Sequence, residues 1–447
     1  MRKEIKNEIV PGLRFLEFKE SGEWAVELLR EVYTFKTTNS FSRDNLNYNE
    51  GEVKNIHYGD IHTKFATLFD ITKERVPFIN SSISINRISR ECYCLEGDVI
   101  FADASEDMKD IAKSIELINL NDEKLLSGLH TLLARQTKSK LRIGFAGHLF
   151  MSDGIKTQIQ REAQGSKVLS ISATRLSNIK IYYPKNKIEQ QKIADCLSCL
   201  DELITAQNQK LDVLKVHKKG LMQQLFPAEG ETVPELRFAE FMDSGDWELL
   251  PIGSKVDSIS GYSFTGLEIS EDNSGVQLMR GVNITEGFVR HNSNINRYFT
   301  GDTTKLEKYI VCTSDLVIAM DGSKVGKNSA LITKNDAGTL LVQRVARLRS
   351  EQRGMIQYIF QHIHSIKFHS YVDRINTSSG IPHISLKQIE EFPVCFPPTS
   401  EEQLKIADFL SSLDELIRAQ KDKVAALQTH KIGLMQQMFP TINESNL

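Results

Sequence analysis

Two stretches of the chain carry apolar residues at alternating spacings of four and three, the pattern of a long helix with one buried seam. The first seam consists of Ile193, Leu197, Leu200, Ile204, Leu211, Leu214, Leu221 and Leu225, and the second of Ile406, Leu410, Leu413, Ile417, Val424, Leu427, Leu434 and Met438. Such a seam is buried against another helix. We therefore predict two long helices that pack on each other as an antiparallel coiled coil.

Polar residues interrupt both seams at the same heptad positions, as Gln207 and Lys218 in the first and Gln420 and Lys431 in the second. The lysines allow two interpretations: they fix the helix register at some cost in stability, or they extend to solvent near the helix ends. A helix of about 34 residues is on the order of 50 Å long. Such a pair would hold whatever lies at its two ends far apart.

The helices belong to a domain-sized internal repeat. Residues 192–227 return as residues 405–440 with 24 identities in 36 positions, and the segment from Pro11 to Trp24 returns from Pro234 to Trp247. Between these anchors the copies scarcely match, and their offset shrinks from 223 to 213. A common fold with loop deletions explains this pattern. Similar helices and divergent globular halves indicate one shared partner and two different targets.

Composition indicates a folded protein with no segment for a membrane. Hydrophobic residues make up 40% and charged residues 25% of the 447 positions. No apolar run approaches the roughly 18 residues that span a bilayer, and the charged N-terminus lacks the apolar core of a signal peptide. We expect a cytoplasmic protein. Cys196 and Cys199 have the spacing of a metal or redox motif, but Phe409 and Ser412 replace them in the second copy, which favours ordinary helix residues.

Charge is unevenly distributed although the net charge is only −3. Residues 135–180 and residues 323–387 each carry a net charge of +7, interleaved with Ser, Thr, Asn, Gln and His. This mixture suits contacts to DNA phosphates and base edges, and the alternative is a solvated basic face without a ligand. With the long helices as a spacer, two such faces could reach grooves about one DNA turn, roughly 34 Å, apart.

Motifs for catalysis are weak throughout. The segment from Gly322 to Ser329 resembles a phosphate loop, but its glycines are one residue too close and Asn328 replaces the magnesium-binding hydroxyl. His362, His364 and His369 fall in an amphipathic helical pattern, which makes a metal site improbable. Glycine-rich cofactor loops and nucleophile–base sets are not found, so we predict that this chain is not an enzyme.

The ordered set of motifs resembles the specificity subunit of type I restriction–modification enzymes over nearly the whole chain. The resemblance rests on repeated helix motifs and on short globular motifs: Glu189-Gln190, 192–195, 220–227 and their second copies, then 57–60, 97–107, 128–131, 280–284 and 380–385. It implies two target recognition domains of mixed α/β fold that read a bipartite DNA sequence. It also implies helices that set the spacing and dock methyltransferase subunits.

The resemblance further implies partners that carry the chemistry. Two methyltransferase subunits would bind S-adenosylmethionine and methylate adenine, and restriction subunits would use ATP with Mg for translocation and cleavage. Double-stranded DNA is the expected ligand, and this chain itself would bind no cofactor and no metal. The alternatives are a self-sufficient DNA-modifying enzyme and a coiled-coil adaptor that binds only protein.

We therefore predict an α+β protein with a pseudo-twofold internal repeat. The expected boundaries are a first recognition domain at 1–184, a spacer helix at 185–227, a second recognition domain at 228–398, a second helix at 399–440 and a tail at 441–447. The polar residues near the motifs and in the basic stretches are the predicted DNA contacts. In the first half these are His57, Tyr58, Lys64, Lys138, Lys156, Gln158, Arg161, Ser166 and Lys167; in the second they are Arg280, Asn283, Ser323, Lys324, Lys327, Gln343, Arg344, Ser378, Ser379 and His383.

Overall fold

Contacts within the chain divide it into two units. The boundaries of these units lie inside the two helical repeats and not between the repeats. The computed structural model describes residues 9–165, 167–322, 324–376 and 382–440. Unit 1 comprises Met1–Asn208 with Lys423–Leu447, and unit 2 comprises Gln209–Asp422. The predicted α+β class is confirmed, since both units combine mainly antiparallel strands, in runs, with helices that follow those runs. Ser166, Ser323, Ser378 and Ser379 lie outside the described residues.

Unit 1 is built from short strands around one five-stranded sheet. Its strands are β1 (Ala25–Leu28), β2 (Tyr33–Lys36), β3 (Leu46–Asn47), β4 (Lys54–Ile56), β5 (Leu68–Asp70), β6 (Phe78–Ile79), β7 (Val99–Ala102), β8 (Ala104–Ser105), β9 (Ser114–Asn119), β10 (Leu125–Ser127), β11 (Thr131–Gln136), β12 (Leu169–Ser170) and β13 (Lys180–Tyr183). Its helices are α1 (Leu29–Val32), α2 (Tyr58–Thr63), α3 (Phe145–Phe150), α4 (Asp153–Glu162), α5 (Ala173–Leu176) and the start of α6 (Lys187–Leu225). The main sheet has the order β2-β11-β7-β9-β5, beside a four-stranded sheet of order β10-β4-β6-β3.

The core of unit 1 lies between the main sheet and the helices. Trp24, Tyr33 and Phe145 are buried there together with Ile193 from α6 and Phe439 from the end of the chain. The Trp24 and Phe439 rings meet edge to face with centroids 6.1 Å apart. The last residues of the second helical repeat therefore complete the core that the first globular half begins.

Unit 2 repeats this architecture with fewer strands. Its strands are β14 (Glu248–Pro251), β15 (Asp257–Ser260), β16 (Val276–Met279), β17 (Tyr298–Phe299), β18 (Leu316–Ala319), β19 (Ser329–Leu331), β20 (Leu340–Leu341), β21 (Val345–Arg349) and β22 (Pro393–Phe396). Its helices are α7 (Met355–Ile363), α8 (Ile366–Ile375), α9 (Leu386–Glu390) and most of α10 (Ser400–Met438). The main sheet has the order β15-β21-β18-β19, and β17-β16-β20 forms a second sheet.

The core of unit 2 has the same design. Trp247 and Tyr358 are buried with Leu410 from α10 and with Phe226 from the end of α6. The Phe226 and Tyr358 rings meet at 90°, with centroids 5.9 Å apart. Unit 1 thus contains the beginning of α6 and the end of α10. Unit 2 contains the beginning of α10 and the end of α6.

The two predicted long helices are present, α6 and α10, with 39 residues each. All sixteen seam residues are buried or half-buried. The seam lysines are ion-paired: Lys431 Nζ lies 2.7 Å from Asp201 Oδ2 in unit 1, and Lys218 Nζ lies 2.6 Å from Asp414 Oδ1 in unit 2. These two pairs occupy equivalent repeat positions, which supports register fixing over simple extension to solvent. Among the described residues, no helix combines the length and the apolar character that crossing a membrane requires.

Candidate nucleic-acid interface

An aromatic cluster marks one end of the main sheet in unit 1. The Tyr58 ring lies between His57 and His130, with centroid distances of 4.7 and 5.3 Å. His57 precedes α2 and its Nδ1 accepts a hydrogen bond from the Gly59 amide at 3.2 Å. His62, on the next turn of α2, bonds the Ala104 carbonyl at 2.9 Å, which brings the start of β8 to the same place.

Burial and the nearby Arg43 guanidinium lower the pKa of His57. Only 7% of this residue is exposed, so its ring serves the turn into α2 more than the surface. Tyr58 is half-buried, whereas the His130 side chain is 51% exposed. Of this cluster, His130 and the edge of Tyr58 are the groups that a ligand could reach.

Asp60 organises a cationic patch beside the cluster. Its buried carboxylate accepts two hydrogen bonds from Arg43, at 2.7 and 2.8 Å, and pairs with Lys64 at 2.9 Å. Lys64 also donates to the Tyr48 hydroxyl, and this hydrogen bond and the Asp60 carboxylate raise the pKa of Lys64. Arg75 lies over the Tyr48 ring, 4.8 Å from its centroid. Of this patch the sequence predicted only Lys64, which lies close to the 57–60 motif; Arg43, Tyr48 and Arg75 lie outside that motif and outside the basic stretches.

The remaining predicted contacts of unit 1 are dispersed. Gln158 is buried and exchanges two hydrogen bonds with the Lys180 backbone, so its amide holds α4 against β13. Lys156 is half-buried on the same helix, and burial lowers its pKa. Lys138 is exposed beyond the far end of β11, a strand whose six residues span about 20 Å from the His130 end.

Two further basic residues of unit 1 are exposed, Arg161 at the end of α4 and Lys167 in the loop before β12. The strand β12 pairs with β8 through Leu169 and Ser105, and Ile171 donates to the Asp103 carbonyl. The Lys167 loop therefore leads to the same sheet end as His130. Lys64, His130 and the Lys167 loop are the parts of unit 1 that this end brings together.

Unit 2 gathers its polar residues at the matching end of its own main sheet. Arg344 Nη1 lies 3.1 Å from Asp321 Oδ2, and the backbone of Asp321 forms a bridge with His383. Ser263 donates to the amide oxygen of Gln343 at 2.7 Å. A side chain at Gly281 would lie 3.6 Å from Asp321 Oδ1, so the turn that contains the 280–284 motif adjoins the same carboxylate.

Exposure separates the predicted contacts of unit 2 into two groups. Lys324, Gln343, Arg344 and His383 are exposed at this end of the sheet. Asn283 is buried and donates to the Arg290 carbonyl at 3.3 Å.

Arg280 and Lys327, two further predicted contacts of unit 2, also bond to other groups of the protein. The Arg280 guanidinium donates to the Ile295 carbonyl, and Lys327 pairs with Asp373 at 3.2 Å. These contacts hold the two loops and leave the exposed group as the reachable surface.

The basic stretches are partly structural. Arg135 pairs with the buried carboxylate of Asp98 at 2.7 Å, and Arg349 pairs with that of Asp315 at 2.7 Å. These two pairs occupy corresponding positions in the two units, next to the turns that precede β7 and β18. At least one positive charge of each stretch is therefore neutralised within the fold.

The outer faces of the helices carry a recurring apolar residue. Leu203 in α6 is 41% exposed and Leu416, its repeat equivalent in α10, is 55% exposed.

All six cysteines are free thiols. Within the described ranges, His, Cys, Asp and Glu do not form a group of three or more that could hold a metal ion.

Comparisons with known proteins show which family the whole chain resembles. The family profile described as type I restriction modification DNA specificity domain matches residues 21–216 and 268–429. The chain is 24% identical over 426 residues to the putative type I restriction enzyme MjaX specificity subunit of Methanocaldococcus jannaschii, covering 92% of each chain. It is 26% identical over 314 residues to the MjaVIII specificity subunit of the same organism, which covers 68% of this chain and 71% of that one.

A solved structure shares the fold. The S subunit of a type I restriction–modification system from M. genitalium aligns with 97% of this chain and 100% of its own, with a TM-score of 0.60 at 13% sequence identity. At that identity the likeness concerns the fold and not individual contacts.

Proposed function

The chain belongs to the family of type I restriction–modification DNA specificity domains, and on that basis we propose that it is the DNA-recognition subunit of a type I restriction–modification complex. Each unit would read one part of a bipartite target. The observation that carries this proposal is that both units place exposed cationic and hydrogen-bonding side chains at the same end of equivalent sheets. Base edges are read by such groups, and phosphates by cations.

The residues that we propose for DNA contact are the half-buried or exposed members of the two sheet ends. In unit 1 these are Tyr58, Lys64, His130 and Lys167, and in unit 2 they are Lys324, Gln343, Arg344 and His383. Lys64, Lys167 and Lys324 are suited to phosphates because an ammonium is a point charge without directional pairing. The diverged hydrogen-bonding residues would supply the difference between the two half-sites.

The helices would provide the other half of the function. We assign the recurring Leu203 and Leu416 to the docking of two methyltransferase subunits, because identical surfaces in both repeats suit two copies of one partner. The helices would also set the gap between the two half-sites, as an antiparallel coiled coil supported by the matched pairs of Lys218 and Lys431. This would place the protein in the cytoplasm, with the DNA that it reads.

Chemistry would come from the partners. S-adenosylmethionine would be bound by the methyltransferase subunits, and ATP with Mg by restriction subunits where these are present. This chain supplies recognition and no reacting group.

A footprint of the complex tests the proposal. Purified with its methyltransferase partner, the protein should protect two blocks of a duplex separated by an unprotected or weakly protected gap. Replacing Lys64 and Lys167 with Ala should lower affinity for all sequences and reduce the slope of log affinity against log salt by about 1 per lost phosphate contact. The matched control is Lys215→Ala, on the exposed face of α6. Absence of any protection with the partner present would refute the proposal.

A further inference from the structure

Two residues hold an unusual backbone conformation at matched positions in the two units. His130 has φ +55° and Arg344 has φ +64°, in the left-handed region that only glycine adopts freely. Asn, Asp and His tolerate this region better than other residues, whereas Arg adopts it rarely. Because the two globular halves have otherwise diverged, a shared strained position requires a reason.

The positions are structurally equivalent by their hydrogen bonds. The His130 carbonyl accepts from the Asp103 amide at 3.1 Å, and the Arg344 carbonyl accepts from the Met320 amide at 2.9 Å. The next residues in the chain, Thr131 and Val345, begin β11 and β21, and each pairs with the last residue of the central strand beside it. Each strained residue therefore closes the turn that enters the middle of its sheet.

Each side chain is also held by an aspartate, although the two aspartates stand one position apart in the repeat. His130 Nδ1 lies 3.1 Å from Asp103 Oδ1, and Arg344 Nη1 lies 3.1 Å from Asp321 Oδ2. The two side chains are 51% and 64% exposed, and their carboxylate partners are 29% and 31% exposed. Each unit thus has one exposed polar side chain that is restrained by a contact with a partly buried aspartate.

We propose that His130 and Arg344 each read a base in one half-site, a deepening that rests on the proposed function. Arg344 keeps free N–H donors beyond the one that meets Asp321, and a guanidinium matches the O6 and N7 acceptors of guanine. His130 Nδ1 faces the Asp103 carboxylate, and in the tautomer that donates Nδ1–H to it Nε2 is an acceptor. It would take the amino group of an adenine or a cytosine.

Neighbouring groups fit this assignment. The Tyr58 ring packs edge-on against His130 and fixes the plane of the imidazole. Beside Arg344, Gln343 is held through its oxygen by Ser263, which leaves the amide nitrogen as a donor. Preorganised groups lose less entropy on binding, which improves discrimination between bases.

If these positions served only to form a left-handed turn, glycine would be the most favourable residue at both. Substitution with glycine therefore separates a role in the turn from a role in reading bases. The wild-type complex with its methyltransferase partner first selects a cognate duplex from a random library. Binding of Arg344→Gly and His130→Gly complexes is then measured on duplexes that carry each single base-pair change. Discrimination should fall by about 10- to 100-fold at one base pair, in a different half-site for each variant. The melting temperature should hold or rise, because glycine relieves the left-handed backbone.

The matched control is Ser314→Gly. Ser314 is also left-handed, with φ +73°, but its counterpart in the other unit is Gly97, with φ +86°. This variant should keep discrimination at every position. If the glycine variants of His130 and Arg344 discriminate as wild type does, the base-reading role is overturned while a two-part cognate sequence still upholds the proposed function. If the wild type selects no sequence, the proposed function itself fails.

Discussion

Buried charges in this protein come as repeated pairs. Arg14 meets Glu189 with Nε–Oε1 at 2.7 Å, and Arg237 meets Glu402 at the same distance in the second copy. These side chains are at most 6% exposed. Removing one member of such a pair leaves an uncompensated charge in the interior, which costs far more than the pair contributes.

Glu402→Gln should therefore lower the free energy of unfolding of unit 2 by about 3 kcal/mol. The measurement is urea unfolding followed by fluorescence in a Trp24→Phe background, where Trp247 in the unit 2 core is the remaining tryptophan. The control is Glu401→Gln, one residue earlier and exposed, which should change stability by less than about 0.5 kcal/mol. Equal effects of the two substitutions would show that the buried pair has no special role.

Glu116 should make the stability of unit 1 depend on pH. Its buried carboxyl accepts hydrogen bonds from Gly144 and Gly147, but burial dominates and raises its pKa from 4.5 to about 7. Between these values the folded unit holds a proton that the unfolded chain releases, so the free energy of unfolding falls as pH rises and levels off above about 7.

Glu116→Gln, which mimics the protonated acid, should remove most of this slope. Unfolding followed by Trp24 fluorescence in a Trp247→Phe background, at several values between about pH 5 and pH 8, measures it. An unchanged slope in Glu116→Gln would assign the pH dependence to other groups.

Single side chains were the hardest feature to predict from the sequence. Gln158 shares a helix face with Ile155 and Ile159, and that spacing alone indicates burial, yet its place in a basic stretch made it a predicted contact. His130 stood in a recognised motif but carried no charge pattern. Its role depends on a left-handed turn and on Asp103, which lies 27 positions away, and neither is visible from local spacing.

At the scale of elements, the long helices were predictable because a four–three spacing determines both their existence and their buried face. The order of the strands was not, since most strands have four residues or fewer and pair with distant segments. The sequence also did not predict that the core of each unit contains the end of the long helix that begins in the other unit. This arrangement depends on Phe226 and Phe439 entering the core of the opposite repeat.

The exposed helix face makes an element-level prediction about assembly. Replacing both Leu203 and Leu416 with Glu should abolish binding of the methyltransferase partner, because two charges would be buried at the docking surfaces without a partner. Size-exclusion chromatography of the mixed subunits measures this, and an unchanged thermal melt shows that the helices remain folded.

The control for this surface is Val216→Glu. Val216 is 69% exposed, but Thr429 stands at its repeat equivalent, so it is not part of the recurring surface. Retained assembly in the Leu203/Leu416 variant would place the docking site elsewhere.

At the scale of the whole molecule, the proposed role of the helices as a spacer is testable by lengthening them. Inserting one seven-residue repeat after Asn208 and another after Lys421 preserves both seams and adds about 10 Å, or roughly 3 base pairs. The recognised half-sites should stay the same while the gap grows by about 3 base pairs. Insertion in one helix only should disrupt the matched pairs of Lys218 and Lys431 and abolish binding. A lengthened protein that keeps the original gap would contradict the spacer role.

The central claim is that each unit reads one part of a split DNA sequence. The most direct test is to map methylated adenines across the genome of a host that carries this protein with its partner subunits. We predict methylation at a two-part motif with a fixed gap of unspecified bases, lost when this chain is deleted. Methylation at one uninterrupted motif, or methylation that persists without this chain, would contradict the account.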